Sequence, residues 1–322
     1  MNRRQFLGTA ALSAGTVHAA EAAYPSRAIT LVVPFTPGGS VDESGRLIGD
    51  RLGRALGQPV LVDNRGGAGG VLGSTYVARA APDGYTLIVT SQSTHVVNPA
   101  VNPKLPYDAV HDFAPITLIA RLANVLLCNA DLPVRSFAEL LRYGQTNPGK
   151  LNYASAGTGT VSHLSMELLR AQCGLPMTHI PYKGAGPALR ELLSGEVQLT
   201  WNNLSSNLGM VKNGKLRALA VAAPSRVPQL PGVPTFAELR LPDLNLSSWT
   251  GLAAPRNTPE PIVQQLYLAV RNILAETATQ ATWVDKGMIV PDDITPQAYR
   301  AEIVDRIRFY QQLAQANRIV LN

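Results

Sequence analysis

Three short stretches place glycine and hydroxyl residues directly after an apolar run: Thr36-Pro37-Gly38-Gly39-Ser40-Val41-Asp42, Ser91-Gln92-Ser93-Thr94-His95 and Ser155-Ala156-Gly157-Thr158-Gly159-Thr160-Val161-Ser162-His163. Each reads as a strand that ends, a turn of small residues and a helix that begins. In open α/β sheets such turns lie at the carboxyl ends of parallel strands, where ligands bind. The N–H groups at a helix start lack intrahelical acceptors, and glycine lets a ligand approach them. The chemistry on offer is therefore hydrogen-bonded capture of an anion such as a carboxylate. One such turn carries little weight, because most helices start this way. Three of them point to a shared cleft.

Each element also has a structural reading. Ser40 and Glu43 have the spacing of a capping box, and Asp42 is a first-turn acid of the kind that the helix dipole favours. His95 and His163 lack an evident nucleophile partner, and no G-x-S-x-G motif occurs, so capping or hydrogen bonding is expected of them. The run Arg65-Gly66-Gly67-Ala68-Gly69-Gly70 has neither the register of a dinucleotide loop nor the lysine of a phosphate loop, and reads as a structural turn. No Cys/His spacing suits a metal. Catalytic residues, cofactor and metal are accordingly expected to be none. Cys128 and Cys173 lie in separate apolar segments and read as free thiols.

The elements that hold these turns follow from periodicity. Ile29 to Phe35 reads as a buried strand, and Ile48, Leu52 and Leu56 give the following helix an apolar stripe. Val60-Leu61-Val62 is a second strand, Val71 to Ala81 a helix and Tyr85 to Thr90 a third strand, an alternation that implies a parallel sheet covered by helices. Phe113 to Asn129 is extended for longer than one ordinary strand, and reads as a crossing into a second unit. There the alternation restarts: helices at Ser136 to Gln145, Val161 to Gln172 and Gly186 to Ser194, with strands near Leu151, His179, Val197 and Leu216. Leu244 to Leu252 reads as a second crossing, after which helices near Glu260 to Glu276 and Pro296 to Ala314 return to the first unit. The fold expected is α/β and two-lobed, with lobe 1 at 23–122 and 246–322 and lobe 2 at 123–245.

At the N-terminus, Arg3-Arg4-Gln5-Phe6-Leu7 precedes a weakly apolar run from Gly8 to Val17, too short for a membrane span. It reads as a signal peptide over residues 1–22, with cleavage after Ala22 or at the alternative Val17-His18-Ala19, and hence as an exported, periplasmic protein. The twin arginine has the form of a twin-arginine signal, although such a pair also serves the general secretory route. Removing 1–22 takes Arg3, Arg4 and Glu21, so 28 basic residues become 26, 22 acidic residues become 21, and the net charge falls from +6 to +5. The remaining basic residues are scattered, without a Lys/Arg run or aromatic-basic alternation, so a small anionic ligand is expected rather than nucleic acid. The 46% hydrophobic content suffices for one large or two ordinary cores.

With these residues in view the chain resembles the Bug-type solute-binding receptors of tripartite tricarboxylate transporters. Pro34 to Asp42, Val62 to Gly70 and Pro82-Asp83-Gly84-Tyr85-Thr86-Leu87 match the family's first lobe in order. Tyr153 to Thr160, Ser162-His163-Leu164, Pro181-Tyr182-Lys183-Gly184 and Val233-Pro234-Thr235 match the second. The resemblance implies a two-lobed periplasmic binding protein of type II topology that closes on its ligand like a flytrap. It also implies that Gly39, Ser40, Asp42, Ser91, Thr94 and the turn from Ser155 to Thr160 hold the ligand; the full ligand-binding set expected is Phe35, Gly38, Gly39, Ser40, Asp42, Ser91, Ser93, Thr94, Ser155, Ala156, Gly157, Thr158, Thr160, Trp201 and Asn202. The turns would hold one carboxylate, and variable residues would select the rest of the ligand. Many members have an aspartate where Trp201-Asn202-Asn203 stands, and its absence argues against amino-acid ligands. The expected partners are a small organic carboxylate and membrane permease subunits or, alternatively, a membrane sensor; a monomer is expected. Arg3→Lys with Arg4→Lys should leave the precursor in the cytoplasm, as judged by fractionation, and normal appearance of the double mutant in the periplasm would exclude the twin-arginine route.

Overall fold

The computed structural model describes residues 24–319; the expected signal peptide lies outside them. The apolar, β-branched run Ile29–Val33 forms β1, buried along almost its whole length. It is followed by α1 (Ser40–Leu56), β2 (Val60–Asn64), α2 (Val71–Ala78) and β3 (Thr86–Ser91). β1 pairs in parallel with both β2 and β3. A single π-turn at Ser93–Val97 and the short α3 (Asn98–Val101) lead to β4 (Phe113–Leu122).

The next strand belongs to a different sheet. β5 (Asn124–Asn129) is separated from the end of β4 by Ala123 alone, so the long extended segment is divided between the two lobes there. The second lobe then runs α4 (Phe137–Thr146), β6 (Asn152–Ser155), α5 (Val161–Cys173), β7 (Thr178–Pro181), α6 (Ala185–Ser194), β8 (Leu199–Asn203), α7 (Leu208–Lys212) and β9 (Leu216–Ala222). The chain returns through β10 (Ser248–Pro255), α8 (Glu260–Ala275), α9 (Thr277–Asp285), β11 (Met288–Ile289) and α10 (Pro296–Ala316). The sheets are ordered β11-β4-β10-β3-β1-β2 and β7-β6-β8-β5-β9.

Two expectations need correction. The sheets are mixed rather than parallel: β5 runs antiparallel to β8 and β9, and β10 antiparallel to β3 and β4. The reversed strand in each case is the first after a crossing, because it arrives from the other lobe without a helix to turn it round. The second crossing is also shorter than Leu244 to Leu252. Pro242–Leu244 is a turn of 3-10 helix, favoured by proline at its first position, and Ser248 already begins β10. Thus Trp249 and its neighbours are sheet residues. The elements α7, α9 and β11 had no counterpart in the periodicity reading.

One apolar cluster joins the lobes, combining Leu126, Tyr153, Leu164, Trp201 and Phe236 of the second with Leu118, Trp249, Tyr299 and Tyr310 of the first. Another fills the first lobe around Leu31, Ile48, Leu52, Val89 and Trp283, whose indole N–H donates to the Ile119 carbonyl at 3.2 Å. Cys128 and Cys173 are free, and no helix among the described residues is long and apolar enough to cross a membrane. The position of α1 depends on Gly45, where a Cβ would come within 2.8 Å of Val33 Cγ2 and 3.1 Å of Val89 Cγ2. Gly45→Val should therefore destabilise the protein by about 1–3 kcal/mol through overpacking, read from urea unfolding, and unchanged stability would show that α1 can lift off the sheet without loss.

Candidate ligand-binding site

Between the lobes lies a cavity of about 60 Å³. Its wall is built from the β1–α1 turn (Phe35, Gly39, Ser40, Val41), the end of β3 (Ser91, Gln92, Ser93), the approach to α5 (Ala156, Val161, Ser162) and the start of α6 (Ala185). The end of β8 (Trp201, Asn202, Asn203) and the crossings (Leu122, Asn124, Ser248, Trp249) complete it. No charged side chain belongs to this wall. Three helices from two lobes nonetheless begin there, and helix starts carry partial positive charge; at α5 the Thr160 and Ser93 hydroxyls already accept first-turn N–H groups. α1 and α6 have glycine N-caps, Gly39 and Gly184, with no side-chain cap, whereas α4 and α10 are capped by Ser136 and Thr295. Their first N–H groups are therefore not taken up by a capping side chain.

The turn before α1 is held from behind. Gly38, at φ +94°, donates its N–H to Asp42 Oδ2 at 3.1 Å. Asp42 also accepts from Arg46 Nε at 3.1 Å and from Asn64 Nδ2 at 2.8 Å. Burial alone would raise the Asp42 pKa, but these hydrogen bonds outweigh it and hold the carboxyl below the usual range. The capping-box expectation fails here. Ser40 is the first residue of the helix rather than its cap, and its hydroxyl crosses to Asn203 Oδ1 in the other lobe. Glu43 gives its N–H to Gly39 O at 2.9 Å, and its side chain pairs with Lys286 at 2.7 Å.

The other turns divide the same way. Thr94 Oγ1 accepts from the Ser91 N–H at 3.1 Å, Ser155 Oγ accepts from the Gly157 N–H at 3.1 Å, and the Thr160 hydroxyl donates to Gly157 O at 2.6 Å while capping α5. A Cβ at Gly157 would lie 2.9 Å from the Gly69 backbone of the opposite lobe, and a side chain at Gly69 would strike the Thr158 carbonyl. The glycine-rich run after Arg65 is thus a contact between lobes. Of the residues expected at the site, Phe35, Gly39, Ser40, Ser91, Ser93, Ala156, Trp201 and Asn202 line the cavity. Gly38, Asp42, Thr94, Ser155, Gly157, Thr158 and Thr160 stand outside its lining. They shape the turns, because their polar atoms are spent on neighbouring backbone or their carbonyls abut the other lobe. Sequence reasoning missed Asn124, Asn203, Ser248 and Trp249; the cue available was a run of amides and one aromatic at the two crossings.

The lobes touch around this cavity. The Thr36 hydroxyl donates to Lys183 O at 3.3 Å, and the Val161 N–H to Ser93 Oγ at 3.1 Å. Asn203 passes the Ser40 contact on, donating to Asn124 Oδ1 at 2.6 Å, and Asn124 donates to Leu246 O at 2.6 Å and Ser248 Oγ at 2.9 Å. One chain of hydrogen bonds therefore links the start of α1 to both crossings. Trp201 and Trp249, each 1% exposed, are different: neither indole Nε1 has a partner among the described residues. Leaving a buried donor unpaired costs about 1–3 kcal/mol.

Behind the α5 turn, His163 and His179 stack at 3.7 Å between ring centres, and His179 Nε2 lies 2.7 Å from Ser155 Oγ. His163 Nδ1 accepts from the Gly159 N–H at 3.3 Å, so this imidazole supports the turn as expected. Burial, reinforced by the adjacent His179, lowers its pKa to about 4. Burial also lowers that of His179, and lowers that of His95 to about 3. Among the described residues no cluster of His, Cys, Asp or Glu is placed to hold a metal.

Residues 45–317 match the family described as the tripartite tricarboxylate transporter family receptor. The chain is 36% identical to the protein BugT of Bordetella pertussis over 286 residues, 88% of this chain and 87% of that one. Among solved structures it is similar to MatC from Rhodopseudomonas palustris with bound malate, at 37% identity and TM-score 0.86 over 90% of this chain and 99% of that one. It is also similar to a second R. palustris protein with adipate, at 36% identity and TM-score 0.88 over 92% and 99%.

The buried imidazoles set a pH dependence. In the unfolded chain a histidine titrates near 6.5, above the folded values of about 4 for His163 and about 3 for His95. Between these values the unfolded state binds more protons, so stability is fully present above about pH 6.5 and falls as pH drops towards 4. Asp42 and Glu167 are held below the usual carboxylate range, because their hydrogen bonds outweigh the effect of burial. Urea unfolding should lose up to about 1.4 kcal/mol per pH unit per histidine from pH 6.5 to 5. A flat profile there would contradict neutral, buried imidazoles.

Proposed function

Because the chain belongs to the tripartite tricarboxylate transporter family of receptors, we propose that it is an exported periplasmic receptor that closes on a small organic carboxylate and delivers it to membrane permease subunits, without catalysing a reaction. The observation that carries this reading is the convergence of three helix starts, α1, α5 and α6, on a cavity whose wall has no charged side chain. Such a site binds an anion through oriented N–H groups and not through ion pairing. An anion held this way contacts both lobes at once, which is the condition for ligand-driven closure.

In this reading the carboxylate rests on the N–H groups of Ser40 and Val41, with Ser93 and Ser162 beside it, while Trp201 and Asn202 meet the rest of the ligand. The malate and adipate bound by the two R. palustris proteins are ligands of this class. Lobe 1 is taken as 23–122 with 246–322 and lobe 2 as 123–245, a division supported by the change of sheet between Leu122 and Asn124. We take the receptor to act as a monomer, and the family's association with transporters favours a permease over a sensor.

Thermal-shift measurements with malate and adipate test the reading, since a ligand at 100 times its Kd stabilises by about 2.7 kcal/mol. Gly39→Val adds a structural check. The backbone at Gly39 is extended, φ −101°, and accepts a side chain, but a Cβ there would meet Ala185 Cβ of the other lobe at 3.1 Å. The variant should keep its stability within about 1 kcal/mol and lose at least 100-fold in affinity by calorimetry, as closure is blocked. Retained affinity would place the ligand away from this turn, and no response to either carboxylate would overturn the function.

A further inference from the structure

We propose that His163 and His179 position the α5 turn for ligand capture and make capture proton-dependent, because the turn keeps its shape only while both imidazoles are neutral. The inference rests on the carboxylate reading and adds a control on it. Register brings the two rings together. β7 pairs with β6 so that His179 lies beside Tyr153 in the sheet, and His163 stands on the first turn of α5, the helix that also receives the Tyr153 hydroxyl at Glu167. The imidazoles stack 3.7 Å apart between centres and 15° from parallel, and Tyr153 stacks on His179 at 4.9 Å.

Each ring accepts a hydrogen bond from the turn before α5. The Gly159 N–H donates to His163 Nδ1 at 3.3 Å, so the proton of that neutral ring sits on Nε2. Ser155 is 0% exposed and its Oγ already accepts from the Gly157 N–H. The one other polar group bonded to this oxygen among the described residues is His179 Nε2, at 2.7 Å. The hydroxyl hydrogen therefore goes to His179 Nε2, and the proton of that neutral ring sits on Nδ1. A proton added to either imidazole would occupy the nitrogen that is accepting. At His163 it would oppose the Gly159 N–H, and at His179 it would leave the Ser155 hydrogen buried without an acceptor. Protons on both rings would stack two like charges.

The charged groups around the pair do not reverse this. Glu167 favours a proton on both rings, but it is committed to Arg170 and the Tyr153 hydroxyl, and burial outweighs it. β8 brings no titratable side chain, and His95 of the π-turn faces Tyr107 and Phe113 instead. The turn itself belongs to the ligand site: Ala156, Val161 and Ser162 line the cavity, and Gly157 packs closely on the Gly69 backbone of the first lobe. A turn that loses the Gly159 or Ser155 bond no longer fits there. Affinity is therefore full above the ordinary histidine range and is lost as pH falls below it.

Malate and adipate are the probes, titrated by calorimetry at pH 7.5 and pH 5 into protein that circular dichroism finds folded at both. In His179→Gln the side chain keeps a hydrogen-bonding group near Ser155 but does not titrate. Wild-type affinity should fall by at least about threefold more than that of His179→Gln, since one proton allows up to about tenfold per pH unit. Protonation of the acids themselves affects both proteins alike, so the difference between the two falls isolates the imidazole. His111→Gln, at an exposed histidine beside Asp108, should behave as wild type. In isotope-labelled wild-type protein without ligand, His163 Nδ1 and His179 Nε2 should resonate as unprotonated nitrogens at pH 7.5. Equal falls in wild type and His179→Gln, or a proton on either of those nitrogens, would overturn the proposal and leave the carboxylate function standing. Failure of both malate and adipate to bind at pH 7.5 would remove the function and the inference together.

Discussion

The structure depends on one constraint: peptide N–H groups at helix starts must be left open in a nearly closed space. An uncapped helix end is unfavourable unless water or a ligand satisfies it. Here α1 and α6 begin at glycines, which provide no side-chain oxygen and also let the two lobes approach closely. The same absence of a side chain therefore opens the donors and permits the contact that encloses them. A lysine or arginine in the wall would bind an anion more strongly, but its charge would have to be stripped of water when the lobes close. Neutral donors avoid that penalty.

The residues around the cavity fall into those that face it and those that keep the facing residues still. Asp42 ties together Gly38, Arg46 and Asn64. Ser155, Thr160 and His163 tie the α5 turn to itself and to His179. An N–H group placed by such a network does not need to reorganise when an anion arrives, which is how a site without formal charge can still bind one.

Much of this was legible from the chain. The three turns, the break in the extended segment at residues 113–129 and the βα alternation each left a local pattern. Gly39, Ser40, Ser93 and Trp201 were placed at the site from those patterns and from resemblance. What failed was the step from residue type to direction. Ser40 and Glu43 have the spacing of a capping box, but whether the serine is the cap or the first helical residue depends on one ψ angle, which the spacing does not encode. Asp42, Thr94 and Thr160 lie in the same turns but outside the cavity lining, their side chains bonded to neighbouring groups, and their neighbours in sequence give no sign of it. Asn124, Asn203, Ser248 and Trp249 were missed for a different reason. They come together only because two strands, far apart in sequence, enter their sheets reversed at the crossings.

That reversal bears on how closure is coupled to binding. Ser40 on α1 reaches Asn203 in the second lobe, and Asn203 reaches Asn124 and through it Ser248, so the same hydrogen-bond chain holds the lobes together and fixes the segments about which they turn. Protein contacts alone thus bring the lobes together, which would favour an empty closed state if nothing opposed it. On the proposed reading the opposing contribution is in the wall: the uncapped starts of α1 and α6, which closure removes from water. A ligand that satisfies those groups stabilises the closed arrangement specifically, because in the open one water already satisfies them. Only such a difference in interaction between the two states can shift the balance. On the proposed reading, the helix-start N–H groups left without protein partners are what makes closure depend on the ligand.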